Sequence, residues 1–222
     1  MALASLHDLL VDELRDIYHA ERQLLKALPK LAKGATTPRL QQALQEHLTQ
    51  TENQVERLEQ AFGELDQPVR AKKCRGMEGI VEEGSEVLGE KGDQDVKDAA
   101  IIAAAQRAEH YEIAAYGTIV TYARTLGYDT VARLLEQTLE EEKAADQLLT
   151  QIAESGINQQ ATTGDETEGD EGGGGGFLSN FGVGGTESRG TGKRRTASKA
   201  GGSRTTGSRG GRGSTSGRPG RR

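Results

Sequence analysis

Four long segments of the chain repeat apolar residues every three or four positions, the spacing that places them on one face of an α-helix. We predict long helices over about residues 5–33, 38–62, 94–126 and 129–154, and a short one over about 77–88. The links at residues 34–37 and 127–128 are so short that each joins an antiparallel pair, whereas residues 63–93 can carry the chain between bundle ends. The sequence therefore predicts an all-α fold, a ferritin-like antiparallel four-helix bundle with one long crossover.

Local signals mark the ends of these helices. Ser5 is placed to cap the first helix, and Gly34 is placed to end it. Thr37 is expected to cap the second helix, with Pro38 at its first position. Pro29, late in the first helix, is expected to bend or tighten it.

The composition limits both the core and the location of the protein. The chain has no Trp, three Phe and five Tyr, so its core is built mainly from aliphatic residues and alanine. A single cysteine excludes an internal disulfide and is consistent with a reducing compartment. No stretch approaches the ~20 apolar residues needed to cross a bilayer, and the start lacks a secretory pattern. We expect a cytoplasmic protein with no membrane partner.

Cys74 follows Lys72 and Lys73 and precedes Arg75 in the crossover. Nearby positive charge favours the thiolate form of a cysteine, which would suit a redox-sensing thiol. The alternative is an ordinary packed cysteine, and the sequence leaves both interpretations open.

Acidic side chains lie within the apolar stripes of three helices. At 100° per residue, Glu21, Glu112 and Glu142 are central on their stripes, Glu109 lies about 60° to one side, and Asp146 lies on the flank. The second helix places Thr51 centrally, with His47 and Gln54 beside it. His110 and Glu141 are predicted to point away from the stripe centres.

These inward polar groups are predicted to meet in one layer. Paired helices rise equally on both sides of a turn, so Glu112 faces about residue 143 and Glu21 faces about residue 50. A single inward glutamate is ordinarily solvated or paired with a cation. Several at one level favour a metal or shared-proton cluster, and a carboxylate-rich set suits iron or manganese.

At these residues the sequence resembles the YciE/YciF stress-protein family of the ferritin-like di-iron superfamily. The similarity covers about residues 3–155 and does not include the tail. The residues that carry it are Asp12–Asp16 and Ala20–Leu24; His47, Leu48, Thr51, Gln54, Arg57 and Leu58; Lys73, Cys74, Met77 and Gly79; Ala108–Ile113, Tyr116 and Gly117; and Leu139, Glu141, Glu142 and Asp146.

This resemblance implies a dimeric ferritin-like protein with a dinuclear metal site and a role in stress responses, described in the family as ferroxidase-like. It assigns Glu21 to the glutamate of the first helix, Glu109 and Glu112 to the Glu-x-x-Glu of the third, and Glu142 to the glutamate of the last. The wider superfamily also supplies two Glu-x-x-His motifs, and both histidines are missing here. This departure is expected to lower metal affinity.

His47 is a candidate replacement ligand, with a buried hydrogen-bonding histidine as the alternative. The hypothesis is that two Fe(II) ions bind between Glu21, Glu109, Glu112, Glu142 and Gln54 or His47, and react with oxygen or peroxide. Thr51, Tyr116 and Asp146 are candidates for a surrounding layer. Tyr116 would transfer an electron or make a hydrogen bond, and the alternative is that it only packs against its neighbours.

The C-terminal part differs in charge and composition from the rest. We place the domain boundary at 1–156 and 157–222, because the second part loses periodicity and is rich in Gly, Ser, Thr and Arg, which is typical of disorder. All 34 acidic residues precede residue 188, whereas residues 188–222 hold 11 basic ones. Its Arg/Gly units suit a salt-sensitive contact with nucleic acid, and a solubilising tail is the alternative. The basic residues in question include Lys193, Arg194, Arg195, Arg209 and Arg212.

Two functions of different classes follow. One is a di-iron protein that oxidises Fe(II), and the other is a non-catalytic stress-associated structural or DNA-associated protein with a basic arm. Metal analysis of the purified protein separates them, because about two irons per chain are expected of the first and none of the second.

Deleting residues 188–222 tests the nucleic-acid hypothesis. Loss of the 11 basic residues is expected to weaken DNA binding at low salt by at least about tenfold, since such contacts depend on counterion release. The measurement is a titration of duplex DNA with the full and the shortened chain at two salt concentrations. Equal binding by both chains at low salt would exclude the arm as the contact.

Overall fold

The computed structural model describes residues 4–163, and every regular element in that range is helical. The five main helices are α1 (Leu6–Gly34), α2 (Pro38–Glu64), α3 (Arg75–Gly89), α4 (Gln94–Thr125) and α5 (Asp129–Ile152). Their number and order confirm the predicted fold, and every predicted helix end lies within two residues of the observed one. None of the helices among residues 4–163 has a stretch long and apolar enough to span a membrane.

The helices pack as two pairs, which together form the bundle. α1 packs along α2 and α4 packs along α5, while α2 contacts α5 and α1 contacts α4. The short α3 belongs to the crossover and lies against α1 and α4. This is the predicted four-helix bundle with one long connection.

Aliphatic side chains and alanines fill the interior between these helices. Leu10, Leu14 and Ile17 of α1 are at most 1% exposed, and so is Ile101 of α4. Burying a side chain of this size stabilises a fold by roughly 1.5–3 kcal/mol, which is the source of the free energy that holds the bundle together. On α4 the small residues at 104, 105 and 108 are also buried, and they let neighbouring helices approach closely.

The turn between α4 and α5 depends on Gly127. Its φ of 77° is in the left-handed region, which costs glycine little and most other residues more. The amide of Gly127 donates to the Arg124 carbonyl at 3.1 Å, and the amide of Tyr128 donates to the Ala123 carbonyl at 2.9 Å. This pair of bonds is a Schellman motif, and it reverses the chain where the sequence predicted.

The start of α2 is capped from another helix, so the prediction that Thr37 caps it with its own side chain is wrong. Thr37 makes no side-chain cap bond. The buried carboxylate of Asp98 on α4 accepts instead from the Thr36 amide at 2.8 Å, the Thr36 hydroxyl at 2.9 Å and the Thr37 amide at 2.7 Å. Asp98 thereby joins the α1–α2 turn to α4.

The other local predictions had mixed outcomes. Ser5 caps α1 as predicted, since its Oγ accepts from the Asp8 amide at 3.1 Å. α1 continues past Pro29 to Gly34. After α5 the chain kinks at Gly156, whose φ and ψ are not helical, and a short helix, α6 (Asn158–Thr163), follows and contacts α4. Ile157, next to the kink, is buried. The domain boundary expected after residue 156 stays a prediction.

The crossover is attached to α1 and α4 around Cys74. The Cys74 amide donates to His19 Nδ1 at 3.2 Å, and its Sγ lies 2.9 Å from the Tyr111 hydroxyl, which donates to Asp16 at 2.7 Å. Burial raises the pKa of the Cys74 thiol, so the expectation that neighbouring charge favours thiolate is wrong. Lys72 pairs with Asp12 and Lys73 pairs with Glu78, which directs both cations elsewhere.

Replacing Asp98 with alanine tests the role of this cap. The change leaves two amides and a hydroxyl without their acceptor, so we expect a loss of about 2 kcal/mol or more in the free energy of unfolding. Urea unfolding followed by circular dichroism measures it. The matched control is Asp95→Ala, a partly exposed aspartate in the first turn of α4. Equal losses in the two variants would contradict the proposed role.

Candidate metal centre

Four helices direct polar side chains to one buried layer near the middle of the bundle. α1 provides Glu21, α2 provides His47 and Gln54, α4 provides Glu109 and Glu112, and α5 provides Glu142. The most exposed of these residues, His47, is only 5% accessible. Each residue is in the apolar stripe of its own helix, so packing of the neighbouring aliphatic residues forces it inward. The predicted layer is therefore present.

His47 lies between two glutamates. Its Nε2 is 3.3 Å from Glu109 Oε1 and 3.6 Å from Glu142 Oε2. Its Nδ1 is 3.2 Å from the side-chain amide oxygen Oε1 of Gln50, so the tautomer protonated at Nδ1 donates to this oxygen. In that tautomer of the neutral ring, the lone pair of Nε2 faces the carboxylates, which is the arrangement of a metal-binding histidine.

One ligand atom from each of His47, Glu109, Glu112 and Glu142 lies within 4.8 Å of the others. Glu21 joins this set through its proximity to Glu112, since each of the two carboxyl groups affects the pKa of the other. On its other side, the Tyr116 hydroxyl donates a short hydrogen bond to Glu21 Oε1. The predicted contact of Tyr116 with the site is thus present, on Glu21.

The amide of Gln54 has an orientation set by two carboxylates. Its Nε2 donates to Glu141 Oε2 at 3.2 Å and makes a short bond to Glu142 Oε1. Because the nitrogen must face these acceptors, the amide oxygen is turned the other way. That oxygen is buried and has no hydrogen-bond donor among the described residues.

Arg57 and Glu141 form an ion pair next to Gln54. Arg57 donates to both oxygens of Glu141, at 2.7 and 2.6 Å, and to the Thr138 hydroxyl at 2.9 Å. The angular prediction had placed Glu141 away from the centre, yet its carboxylate reaches Gln54. The sequence signal for this pair was the position of Arg57 one turn after Gln54, and of Glu141 directly before Glu142.

Two residues predicted for the surrounding layer make other bonds. Thr51 is buried, but its hydroxyl donates to the His47 carbonyl of its own helix at 2.9 Å. Asp146 accepts from Gln106 at 3.0 Å and lies 3.2 Å from His110 Nε2. It acts on Glu109 through its charge, which raises the pKa of that carboxyl group. The predicted basic residues of the tail, Lys193, Arg194, Arg195, Arg209 and Arg212, lie outside the described residues.

Many oxygens of this layer lack a donor. The glutamates lie in pairs, Glu109 beside Glu142 and Glu21 beside Glu112, so a carboxylic acid in each pair can share its proton with the other member. The buried oxygens without a donor are Glu21 Oε2, Gln54 Oε1, Glu109 Oε2, both oxygens of Glu112, and Glu142 Oε2. Such atoms are costly to bury unless protons or cations satisfy them.

The protonation of the glutamates reflects this burial. Loss of water, followed by repulsion from Glu142, raises the pKa of Glu21 to about 8. Burial likewise raises the pKa of Glu109 to about 7. The pKa values of Glu112 and Glu142 are raised well above the ordinary glutamate value, first by burial. Near neutral pH and without a cation, the layer therefore retains protons that a bound cation would displace.

Fold and site together define a helical-bundle protein whose core holds a histidine–glutamate cluster able to bind a metal ion. The chain matches the family described as a domain of unknown function (DUF892) over residues 5–162, and it belongs to that family. It is 45% identical to protein YciF of Escherichia coli strain K12 over 162 residues, which is 72% of this chain and 98% of YciF. The resemblance to the YciE/YciF family is thus confirmed.

Solved structures agree with this membership. The E. coli stress protein YciF has a TM-score of 0.68 and 44% identity, covering 70% of this chain and 99% of its own. YcfI from Rhodopseudomonas palustris, a proposed structural protein, has a TM-score of 0.65 and 47% identity, covering 67% and 94%. A protein from Xanthomonas campestris at 19% identity and a TM-score of 0.57 shares the fold.

Neutralising one buried glutamate tests the electrostatics of the layer. Between the ordinary glutamate pKa of 4.5 and about 8, the folded chain holds protons that the unfolded chain has released, so stability falls as pH rises. With metal removed, we expect Glu112→Gln to be more stable than the parent by roughly 1–3 kcal/mol at about pH 8, and by less at about pH 5.5.

Urea unfolding at several pH values, with a chelator present, provides the measurement. The exposed Glu140→Gln on α5 is the control and is expected to follow the parent at every pH. Parallel curves for the parent and Glu112→Gln would contradict the raised pKa values.

Proposed function

We propose that the buried layer binds two iron ions and oxidises them from Fe(II) to Fe(III), as in a ferroxidase. The observation that carries this proposal is the set of buried carboxylate and amide oxygens without a hydrogen-bond donor. Buried acceptors of this number, beside a histidine lone pair, fit cations better than they fit an apolar core.

The charge of the layer matches two divalent ions. Four glutamates supply four negative charges when deprotonated, and two divalent cations supply four positive ones. A single divalent ion would neutralise two of these charges, and the other two carboxyl groups would keep their protons. Glu112 belongs to the set with His47, Glu109 and Glu142 and also neighbours Glu21, so the ligands extend beyond the four that surround one position.

In this proposal the residues have distinct tasks. Glu21, Glu109, Glu112, Glu142, His47 and Gln54 hold the ions, and Gln54 contributes its unpaired amide oxygen. Tyr116 orients Glu21 by its hydrogen bond, and Arg57 with Glu141 fixes the Gln54 amide. The carboxylic acids release their protons as the cations enter.

Iron is the substrate of the reaction. Each of two Fe(II) ions gives up one electron, and dioxygen takes up two electrons and two protons and leaves as hydrogen peroxide. With hydrogen peroxide as the oxidant, the same electrons and two protons yield two water molecules. Manganese is the second metal that this set of ligands suits. Removal of iron and oxidant would accord with a stress role like that in the name of the E. coli relative.

A second candidate function is a structural one. The glutamates can share protons in pairs, and the raised pKa values keep those protons in place near neutral pH, so the core has a metal-free way to reduce its charge. A proposed structural role is also attached to the YcfI relative. Under this alternative, purified protein contains no iron even after anaerobic loading. Homodimer formation and a cytoplasmic location remain proposals for either function.

The double variant Glu112→Gln/Glu142→Gln tests the ferroxidase proposal. It removes two of the four charges, so we expect loss of bound iron and a fall of at least about a hundredfold in Fe(II) oxidation. The measurements are metal content after anaerobic loading and the rate of Fe(III) formation on exposure to air.

The exposed pair Glu52→Gln/Glu140→Gln is the matched control, with the same change in net charge. It is expected to bind and oxidise iron like the parent. Unchanged Fe(II) consumption by the core variant would refute the proposal.

A further inference from the structure

A cleft between α1, α3 and α4 ends at the glutamate layer. Its volume is about 230 Å³. The buried part of its wall is apolar and includes Leu24 and Leu28 of α1 and Ala104 and Ala108 of α4, with Ile80 and Val81 of α3 partly buried beside them. Polar residues also line the cleft, and three of them are exposed: Lys26, Lys30 and Ser85, with Gln23 partly buried. Glu109, a member of the buried layer, lines it as well, so the cleft reaches the proposed iron site.

A second, smaller cleft reaches the same glutamate from the opposite side. It lies between α2 and α5, has a volume of about 100 Å³, and is lined by Glu46, His47 and Gln50 as well as by Glu109. The rest of its lining is apolar: Ala43, Leu44, Ala144, Ala145, Leu148 and Leu149. What distinguishes the second cleft is the buried imidazole of His47, which adds a polar group beside Glu109.

We propose that the apolar cleft binds dioxygen and leads it to the glutamate layer past Glu109. This inference rests on the proposed function and names the oxidant of that reaction. Dioxygen is uncharged and apolar, and apolar cavities of about 150 Å³ are known to take up small apolar molecules such as xenon or benzene. Hydrogen peroxide needs hydrogen-bond partners, which the buried aliphatic part of the cleft does not offer.

The fit to a small molecule follows from the small residues of the walls. Gly84 and the alanines at 104, 105 and 108 leave the space that larger side chains would fill. A methyl group at Gly84 would lie 3.6 Å from Ala104 Cβ and 3.9 Å from Leu31 Cδ2, which is ordinary contact. Glu109 is only 2% exposed, so a molecule that passes it has to be small.

Xenon is the probe for the binding step, because it requires neither metal nor turnover. In the parent chain with methyl groups labelled for NMR, xenon pressure is expected to shift Ile80 and Val81 in a saturable way and to leave Leu10, at a distant part of the core, unchanged. Absence of a saturable shift at Ile80 and Val81 would overturn the proposal.

Val81→Phe is the variant for the delivery step, because it adds a ring to the cleft wall. We expect the rate constant for Fe(II) oxidation by dioxygen to fall several-fold, with the rate for hydrogen peroxide and the bound iron unchanged. Val69→Phe makes the same change at an exposed position in the crossover and is the control. Gly84→Ala is a milder second variant, expected to fold and to lower xenon uptake.

The outcomes distinguish this inference from the proposed function. Equal slowing with dioxygen and peroxide, or equal slowing in Val69→Phe, overturns the role of the cleft while iron oxidation stands. If the chain binds xenon but takes up no iron, both the delivery of dioxygen to the layer and the proposed function are overturned. A change in oligomeric state in Val81→Phe alone would show that a second copy of the chain covers the cleft, and that result also overturns the proposal.

Discussion

The burial of four glutamates in one apolar layer is the constraint on which the rest of this structure depends. Removing a carboxylate from water costs several kcal/mol unless a proton, a donor or a cation accompanies it. Here Tyr116, Gln54 and His47 contact individual glutamates, yet several oxygens of the layer remain without donors. A bundle that retained this layer for packing alone would be more stable with leucine or methionine in it. The layer is therefore better explained by the proposed binding of cations than by a contribution to stability.

The bundle tolerates the layer because its free energy comes from elsewhere along the helices. Leucine and isoleucine side chains are fully buried on both sides of the glutamates, as Leu10 and Leu40 illustrate. Bonds between elements add to this packing. Asp98 attaches α4 to the α1–α2 turn at one end of the bundle. Cys74 contacts Tyr111, which lies between Glu109 and Glu112 on α4, and so attaches the crossover at the level of the layer. These bonds help to hold the polar groups at contact distance, which a loosely packed bundle would not achieve.

Much of this arrangement could be predicted because it depends on periodicity alone. A helix repeats every 3.6 residues, so the inward direction of Glu21, Glu112 and Glu142 followed from their neighbours. What periodicity does not contain is the conformation of long side chains and the identity of partners from other helices. That is why Asp98 was missed as a cap, why Glu141 reached Gln54 from a flanking position, and why the hydroxyl of Thr51 bonded its own helix. The thiol of Cys74 was misjudged for the same reason, since sequence neighbours such as Lys72 turned to other partners.

In α2, other side chains take the place of the Glu-x-x-His motif of the wider superfamily. This helix contributes no carboxylate to the layer, and its two ligand candidates, His47 and Gln54, are seven residues apart and so two turns apart on one face. Each is oriented by a bond on its far side, His47 by Gln50 and Gln54 by Glu141. The lone pair of the ring and the oxygen of the amide are thereby directed away from those bonds. Three helices thus provide the carboxylates, and α2 provides two neutral ligand candidates. The four negative charges of the carboxylates equal the charge of two divalent cations, and a further histidine would not change that sum.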